Sequence, residues 1–252
     1  MIRGKRDLLL VHLVANGLLL WLAYEWLGVD ESNTGKLLLS AFDALAILAL
    51  ACWLYGATMV QLQSPKQRLN DSFRHALRHI SGLLVIALFG LVLYGLLTSA
   101  EAALAAQSQR IATWLAWPFH AKVQPATVAS FFGWIVWLFR WIVLPVVVLP
   151  VAAAIALDGW SGWRSLFGRR PLPIWFRIPL LTAAALWLPQ VLLQWKQHST
   201  SFALEFTAFS VKAAVAYLLF VGSVIALAAI GAATVRERVP ATFSKDPNSA
   251  IT

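Results

Sequence analysis

Residues 37–60 read LLLSAFDALAILALACWLYGATMV, and the reading of that stretch decides the fold. A single charged side chain, Asp43, interrupts it. As a helix it would be about 36 Å long, enough to cross a hydrocarbon core of about 30 Å. Five further runs of the same character occur at roughly 8–27, 80–99, 131–157, 174–195 and 207–232. Inside a bilayer each backbone polar group must be satisfied within its own segment, so apolar runs of this length are read as helices. The expected fold is all-α, a polytopic membrane bundle of six transmembrane helices with amphipathic interfacial segments. It occupies residues 1–239 as one domain, followed by a polar tail over 240–252.

Composition agrees. The 252 residues are 60% hydrophobic and 12% charged, with a mean hydropathy of +0.73. Soluble domains are about 45–50% apolar and about 25% charged, and disorder requires low hydrophobicity. The net charge of +9 would suggest nucleic acid in a soluble protein. Here the basic residues lie in short connections between apolar runs, where they report topology, so no nucleic-acid partner is expected.

Of the 20 lysines and arginines, fourteen fall on one side of the six-span arrangement and four on the other, with Arg140 and Lys212 inside spans. The rich side holds Arg3, Lys5 and Arg6, then the loops around residues 66–78 and 164–177, then the C-terminal tail. The positive-inside rule puts both termini in the cytoplasm, as expected for a bacterial inner-membrane protein. The first run is too long for a signal-peptide core. Tyr24-Glu25-Trp26 stands where a cleavage site would be, so the run reads as a retained anchor. Residues 100–117 are rejected as a seventh span because Glu101, Gln107, Gln109 and Arg110 are costly in hydrocarbon. They read as an amphipathic helix on the outer surface, anchored by Trp114, Trp117 and Phe119. Most of the 13 tryptophans fall where aromatic belts belong.

Two cytoplasmic stretches are amphipathic. In 65–80, Leu69, Phe73, Leu77 and Ile80 share one helical face and Lys66, Asn70, Arg74 and Arg78 another. Ser64-Pro65 is read as its N-cap and first helical residue. The second stretch is 159–170. Lys66, Arg68, Arg74, Arg78, Arg164, Arg169 and Arg170 are candidate contacts for anionic lipid; the plainer reading makes them topology signals alone. Glycines and alanines in spans three and six place those two in the bundle interior, with the aromatic first half of span four facing lipid.

Ionisable residues within spans are the leading candidates for chemistry. Asp43, Arg140 and Lys212 lie about 9, 13 and 7 Å into their spans from the outer side. Glu25 and Glu205 sit near the same boundary. Asp43 is the best-placed carboxylate for Arg140. One reading is a water-accessible polar site for an anion, open to the periplasm. The other is a structural ion pair, or a snorkelling arginine supported by Trp137 and Trp141. Pro145 and Pro150 in span four, and Pro179 and Pro189 in span five, each remove a helical hydrogen bond and bend the helix.

No catalytic, cofactor or metal constellation is found. Cys52 is the single cysteine and reads as a small buried hydrophobe. His75 and His79 have metal-ligand spacing but lie in a basic loop and read as surface histidines. Only His12 falls inside a span, which leaves no axial pair for a haem. Gly159-Trp160-Ser161-Gly162 fits the Gly-x-Ser-Gly pattern of rhomboid-type intramembrane proteases, but span six has no histidine to act as base.

The run from Leu149-Pro150 through Asp158-Gly159-Trp160-Ser161-Gly162-Trp163-Arg164-Ser165, with Asp71-Ser72-Phe73-Arg74 before it, resembles a group of bacterial six-helix membrane proteins. That group includes the membrane domains attached to some glycerophosphodiester phosphodiesterases. The resemblance covers roughly residues 61–185. It implies a six-helix fold and a lipid-adjacent role; the phosphodiesterase catalytic domain is absent, so no catalytic residues carry over. The expected function is non-enzymatic: a membrane subunit or scaffold binding lipids or partner proteins, including a second copy of itself. A small transporter or lipid-handling permease using Asp43, Arg140 and Lys212 is the alternative, and a membrane enzyme is third.

Overall fold

A computed structural model describes residues 2–30, 32–119, 122–167, 172–195 and 201–236. The expectations placed on Arg169, Arg170, Lys196, His120, His198 and the 240–252 tail lie outside the described residues. The described residues are almost entirely helical, with no strand among them. In chain order the helices are α1 (Ile2–Leu27), α2 (Thr34–Gln63), α3 (Leu69–Arg78), α4 (Ile80–Phe119) and α5 (Pro125–Leu138). A π turn (Phe139–Val143) leads into α6 (Leu144–Asp158) and a 3-10 segment (Gly159–Phe167). Then come α7 (Leu172–Thr182), a second π turn (Ala183–Trp187), α8 (Leu188–Gln194) and α9 (Phe202–Arg236). Six stretches are long and apolar enough to cross a bilayer: Arg6–Leu27, Thr34–Gln63, Ile80–Trp117, Pro125–Leu166, Leu172–Gln194 and Phe202–Val235. The chain is an all-α, multi-pass membrane protein.

Three expectations about these elements are corrected. Span three does not end at residue 99. Ser99, Ala100 and Glu101 continue one helix to Phe119; at 1.5 Å per residue α4 is about 60 Å long, twice the hydrocarbon thickness. Alanines at 100, 102, 103, 105 and 106 are the strongest helix formers and give the chain no reason to break there. The 65–80 helix starts at Leu69, and Ser64 instead closes α2, its N–H bonding to the Val60 carbonyl. The face that α3 buries centres on Ser72 and Ala76, while Leu77 is 52% exposed. Small residues let α3 lie close to its neighbour; the Ser72 hydroxyl donates to Gln61 Oε1 at 2.7 Å, and the Trp53 indole N–H donates to the Phe73 carbonyl at 2.8 Å.

The third correction concerns the interior. The most apolar stretch of span four is 44% buried, against 17% in span three and 22% in span six. The glycines of spans three and six do serve close packing, but toward span four. A Cβ on Gly82 would stand 2.8 Å from Ile155, and one on Gly231 would stand 3.3 Å from Leu149. Gly95 and Gly222 face open space.

The chain divides into two compact units. The first comprises Met1–Leu83, Leu149–Phe167 and Ile225–Thr252. Its core is built on Leu54, Met59, Val151, Ile155 and the alanines 153, 154 and 156. Helix α6 ends in it at Asp158, and the next residue, Gly159, has a φ of +65° that favours a residue without Cβ. The 3-10 segment then folds back so tightly that a Cβ on Gly162 would land on the backbone of Ala154 and Ile155. The second unit comprises Leu84–Val148 and Gly168–Val224, with Ile86, Val136, Val146, Ile178 and Val221 buried.

Candidate functional site

The second unit contains the arginine that sequence reasoning singled out, with a different partner. Arg140 Nη2 donates to Glu101 Oε2 at 2.7 Å, joining the first π turn to α4. The arginine side chain is 14% exposed and the glutamate 42%. The Tyr94 ring lies under the guanidinium, 5.0 Å from carbon to centroid, and meets Trp141 edge to face at 6.5 Å. The aromatic support is therefore Tyr94, not the expected Trp137 and Trp141. The expected carboxylate, Asp43, is half-buried in α2 within the first unit. Among the described residues it enters neither of the two ion pairs, Arg140–Glu101 and Lys36–Asp30.

A sequence signal for the correct pair exists. Counted from the other ends of their helices, Glu101 stands about 31 Å beyond Ile80 and Arg140 about 27 Å back from Asp158. Both distances match one hydrocarbon thickness. Counting from residue 131 hid this, because the helix begins at Pro125 and the apolar character runs on past the span.

The prolines explain the π turns. Pro145 has no N–H, and its ring would strike the Trp141 carbonyl four residues back. The turn before it widens, so the Leu144 N–H bonds five residues back to the Phe139 carbonyl. The same event recurs in span five: before Pro189, the Leu188 N–H bonds to the Ala183 carbonyl. Each π turn thus precedes a Leu-Pro pair, and such widened turns recur at functional sites. A cavity of about 370 Å³ lies against both turns, lined by Trp137, Trp141 and Ile142 from one side and Pro179, Thr182, Ala183, Leu186, Trp187 and Gln190 from the other. Its volume is within the ordinary range for small-ligand sites, and its lining is predominantly apolar.

Lys212 is spent on structure. Its ammonium donates to the Trp195 carbonyl at 2.7 Å and lies 5.3 Å from the Trp195 ring centroid. That carbonyl is at the C-terminal cap of α8, where a cation is favoured. Glu205 is exposed in the first turn of α9, the end of a helix that favours an anion. In the first unit Glu25 is exposed near the end of α1, and Lys36 in the first turn of α2 pairs with Asp30 at 2.7 Å. That ammonium and the Ser32 hydroxyl hold the Asp30 carboxyl below the usual carboxylate range.

A polar group that sequence reasoning passed over lies between α1 and α2. His12, Asn16 and Thr58 are 0–1% exposed. The Thr58 hydroxyl donates to the Leu54 carbonyl at 2.8 Å, so it accepts from His12 Nε2–H at 2.7 Å. His12 Nδ1 is then an acceptor, and Asn16 Nδ2 donates to it at 3.1 Å and to the His12 carbonyl at 2.9 Å. The carbonyl fixes which way the Asn16 amide points, and Asn16 Oδ1 accepts from the Tyr55 hydroxyl. The histidine is therefore the neutral Nε2–H tautomer. The signal for it was the i, i+4 pairing of His12 with Asn16 opposite the i, i+3 pairing of Tyr55 with Thr58.

His75 and His79 are not the surface histidines expected. Both are half-buried, with ring centroids 4.9 Å apart. The His75 ring nitrogen donates to the Leu157 carbonyl at 3.1 Å, and the His79 ring packs on Gly159 at the end of span four. Burial, then His75, and to a lesser extent Arg78, push the His79 pKa down, with Asp158 opposing. Among the described residues no group of three or more histidine, cysteine, aspartate or glutamate side chains is placed to hold a metal ion. Lys66, Arg68, Arg74, Arg78 and Arg164 are all exposed. The Ser161 hydroxyl donates to the Asp158 carbonyl at 2.8 Å.

No family model matches the chain, and neither a curated protein nor a solved structure matches it.

Proposed function

We propose that this chain is a non-enzymatic protein of the bacterial inner membrane, with both termini in the cytoplasm, that acts as a membrane subunit or scaffold holding lipids or partner proteins. The observation that carries this reading is how the polar groups inside the spans are spent. His12, Asn16, Tyr55 and Thr58 satisfy one another and Lys212 caps a helix, while Arg140 pairs with Glu101 and keeps donors to spare. Groups committed to internal partners hold helices in register and do not line a polar conduction path. The exposed Lys66, Arg68, Arg74, Arg78 and Arg164 support the orientation and suit anionic lipid headgroups on the cytoplasmic side, at about 1 kcal/mol for each residue near the surface. The resemblance to phosphodiesterase-associated membrane domains supports a role beside lipid.

A second reading, a small lipid-handling permease, is favoured by the cavity against the two π turns. Native mass spectrometry of the tagged chain, extracted gently from its own membranes, separates them. A stoichiometric second protein supports the subunit reading. A lone chain or homo-oligomer with retained lipid, whose lipid transfer is abolished by Arg140→Leu without loss of folding, supports the permease.

A further inference from the structure

Arg140 is only partly used. A guanidinium carries five N–H donors in a planar fork. Glu101 takes one through Nη2, Tyr94 covers a face of the group, and the Nε–H has no hydrogen-bond partner among the described residues. Glu101 commits Oε2 to the arginine and remains 42% exposed. The pair therefore sets a cation beside an anion, each with capacity to spare. Trp141, next to Arg140 in the π turn, touches Tyr94 on one side and lines the cavity on the other.

The cavity itself selects an apolar guest. Among the described residues its polar side chains outside the indoles are Thr182, whose hydroxyl already donates to the Ile178 carbonyl, and Gln190. A helix is about 10–12 Å across and is too broad for a cavity of about 370 Å³. In a helix pair long and apolar enough to cross a bilayer, the guest that is narrow and apolar is an acyl chain. A head group that satisfies the adjoining pair must carry an anion for Arg140 and a hydrogen-bonding cation for Glu101.

We propose that Arg140, Glu101 and the cavity form one site for a zwitterionic aminophospholipid. The phosphate takes the remaining Nη donors of Arg140, the primary ammonium takes Glu101, and one acyl chain lies in the cavity against the two π turns. This rests on the lipid-holding role proposed above and names its ligand. A glycerol head group offers no cation to Glu101. A choline head group offers a cation without N–H donors. The site thus discriminates among lipids of identical chains.

The test uses the full-length protein in detergent, offered equimolar phosphatidylethanolamine, phosphatidylglycerol and phosphatidylcholine with matched chains, and read by native mass spectrometry. Phosphatidylethanolamine is expected to be retained at least threefold over either competitor. Glu101→Gln is expected to bring it within twofold of phosphatidylglycerol. Leu186→Trp, at a cavity-lining position that is 46% exposed, is expected to lower retention of all three at least threefold. Leu186 is exposed and Glu101 half-buried, and the melting profiles of both variants report folding. Equal retention of the three lipids by the unsubstituted chain overturns the proposal, as does an unaltered preference in Glu101→Gln. Equal retention beside a co-purifying second protein sinks the site and leaves the scaffold role standing; a chain that keeps neither lipid nor protein sinks both.

Discussion

The two polar clusters of this protein handle burial in opposite ways. Around His12 every donor and acceptor is matched by another side chain or a carbonyl, and the members are 0–1% exposed apart from the half-buried Tyr55. Around Arg140 one contact of 2.7 Å is made, a buried N–H is left over, and the glutamate stands 42% exposed. A closed network fixes how α1 meets α2 and leaves nothing for a ligand. An open pair costs stability where it is unmatched and keeps a valence for something outside the chain. The same contrast runs through the packing: the first unit holds the glycines with no room beside them, and the second holds those facing open space.

The difference between the two units is largest at glycine. Gly162→Val forces a branched side chain into the Ala154–Ile155 backbone and is expected to abolish accumulation of folded protein, as judged by gel filtration of the extracted fusion. Gly222→Val meets nothing within 4 Å and is expected to leave the elution profile unchanged. Next in size is Asn16→Leu, which leaves His12 Nδ1 without its donor and removes the Asn16 acceptor of the Tyr55 hydroxyl. It is expected to cost about 1–3 kcal/mol in reversible unfolding in mixed micelles. Glu101→Gln removes a charge that water already reaches, and a double-mutant cycle with Arg140→Leu is expected to return a coupling of about 1 kcal/mol or less. A coupling above that of the Asn16 cluster would reverse the contrast between closed and open sites.

The smallest expected effect is one of pH. Since the folded protein lowers the His79 pKa, protonation favours the unfolded form, so the contact is at full strength above about pH 6.5 and weakens as pH falls below it. Asp158 opposes that loss, while His75 and Arg78 add to it. Amide protection across 69–79, taken relative to the intrinsic exchange rate at each pH, is expected to fall between pH 7.5 and 5.5, and to fall less in His79→Gln. Protection that falls equally in that variant would assign the change to another group.

The helical, six-span character was legible because it depends on sums over twenty residues, which tolerate many local errors. Boundaries were less so. Residues 101–117 carry polar side chains that argue against hydrocarbon and alanines that argue for helix, and both are right, since a helix can continue past the bilayer. Individual partners were the least legible. Arg140 was recognised as expensive, but its partner depended on where α4 and α5 terminate. Lys212 looked like Arg140 in sequence and turned out to be a helix cap. His12 was seen and Asn16, Tyr55 and Thr58 were not, because neutral polar residues carry little weight in a charge-based reading, although buried they are as demanding of partners.

The two π turns bear on how these spans tolerate a change of length. Each holds one residue more than an α turn would, so each behaves as a lodged single-residue insertion. Removing one residue within 183–187 closes the turn to α geometry and keeps α8 and α7 in their present phase, but it returns the Pro189 ring to the carbonyl four residues back, so the deletion is tolerated only together with replacement of Pro189. The same deletion within α9, which has no such slack, rotates everything beyond it by about 100° and turns its buried alanines outward. Shortening span five at its π turn therefore takes two changes at once, the deletion and the loss of Pro189.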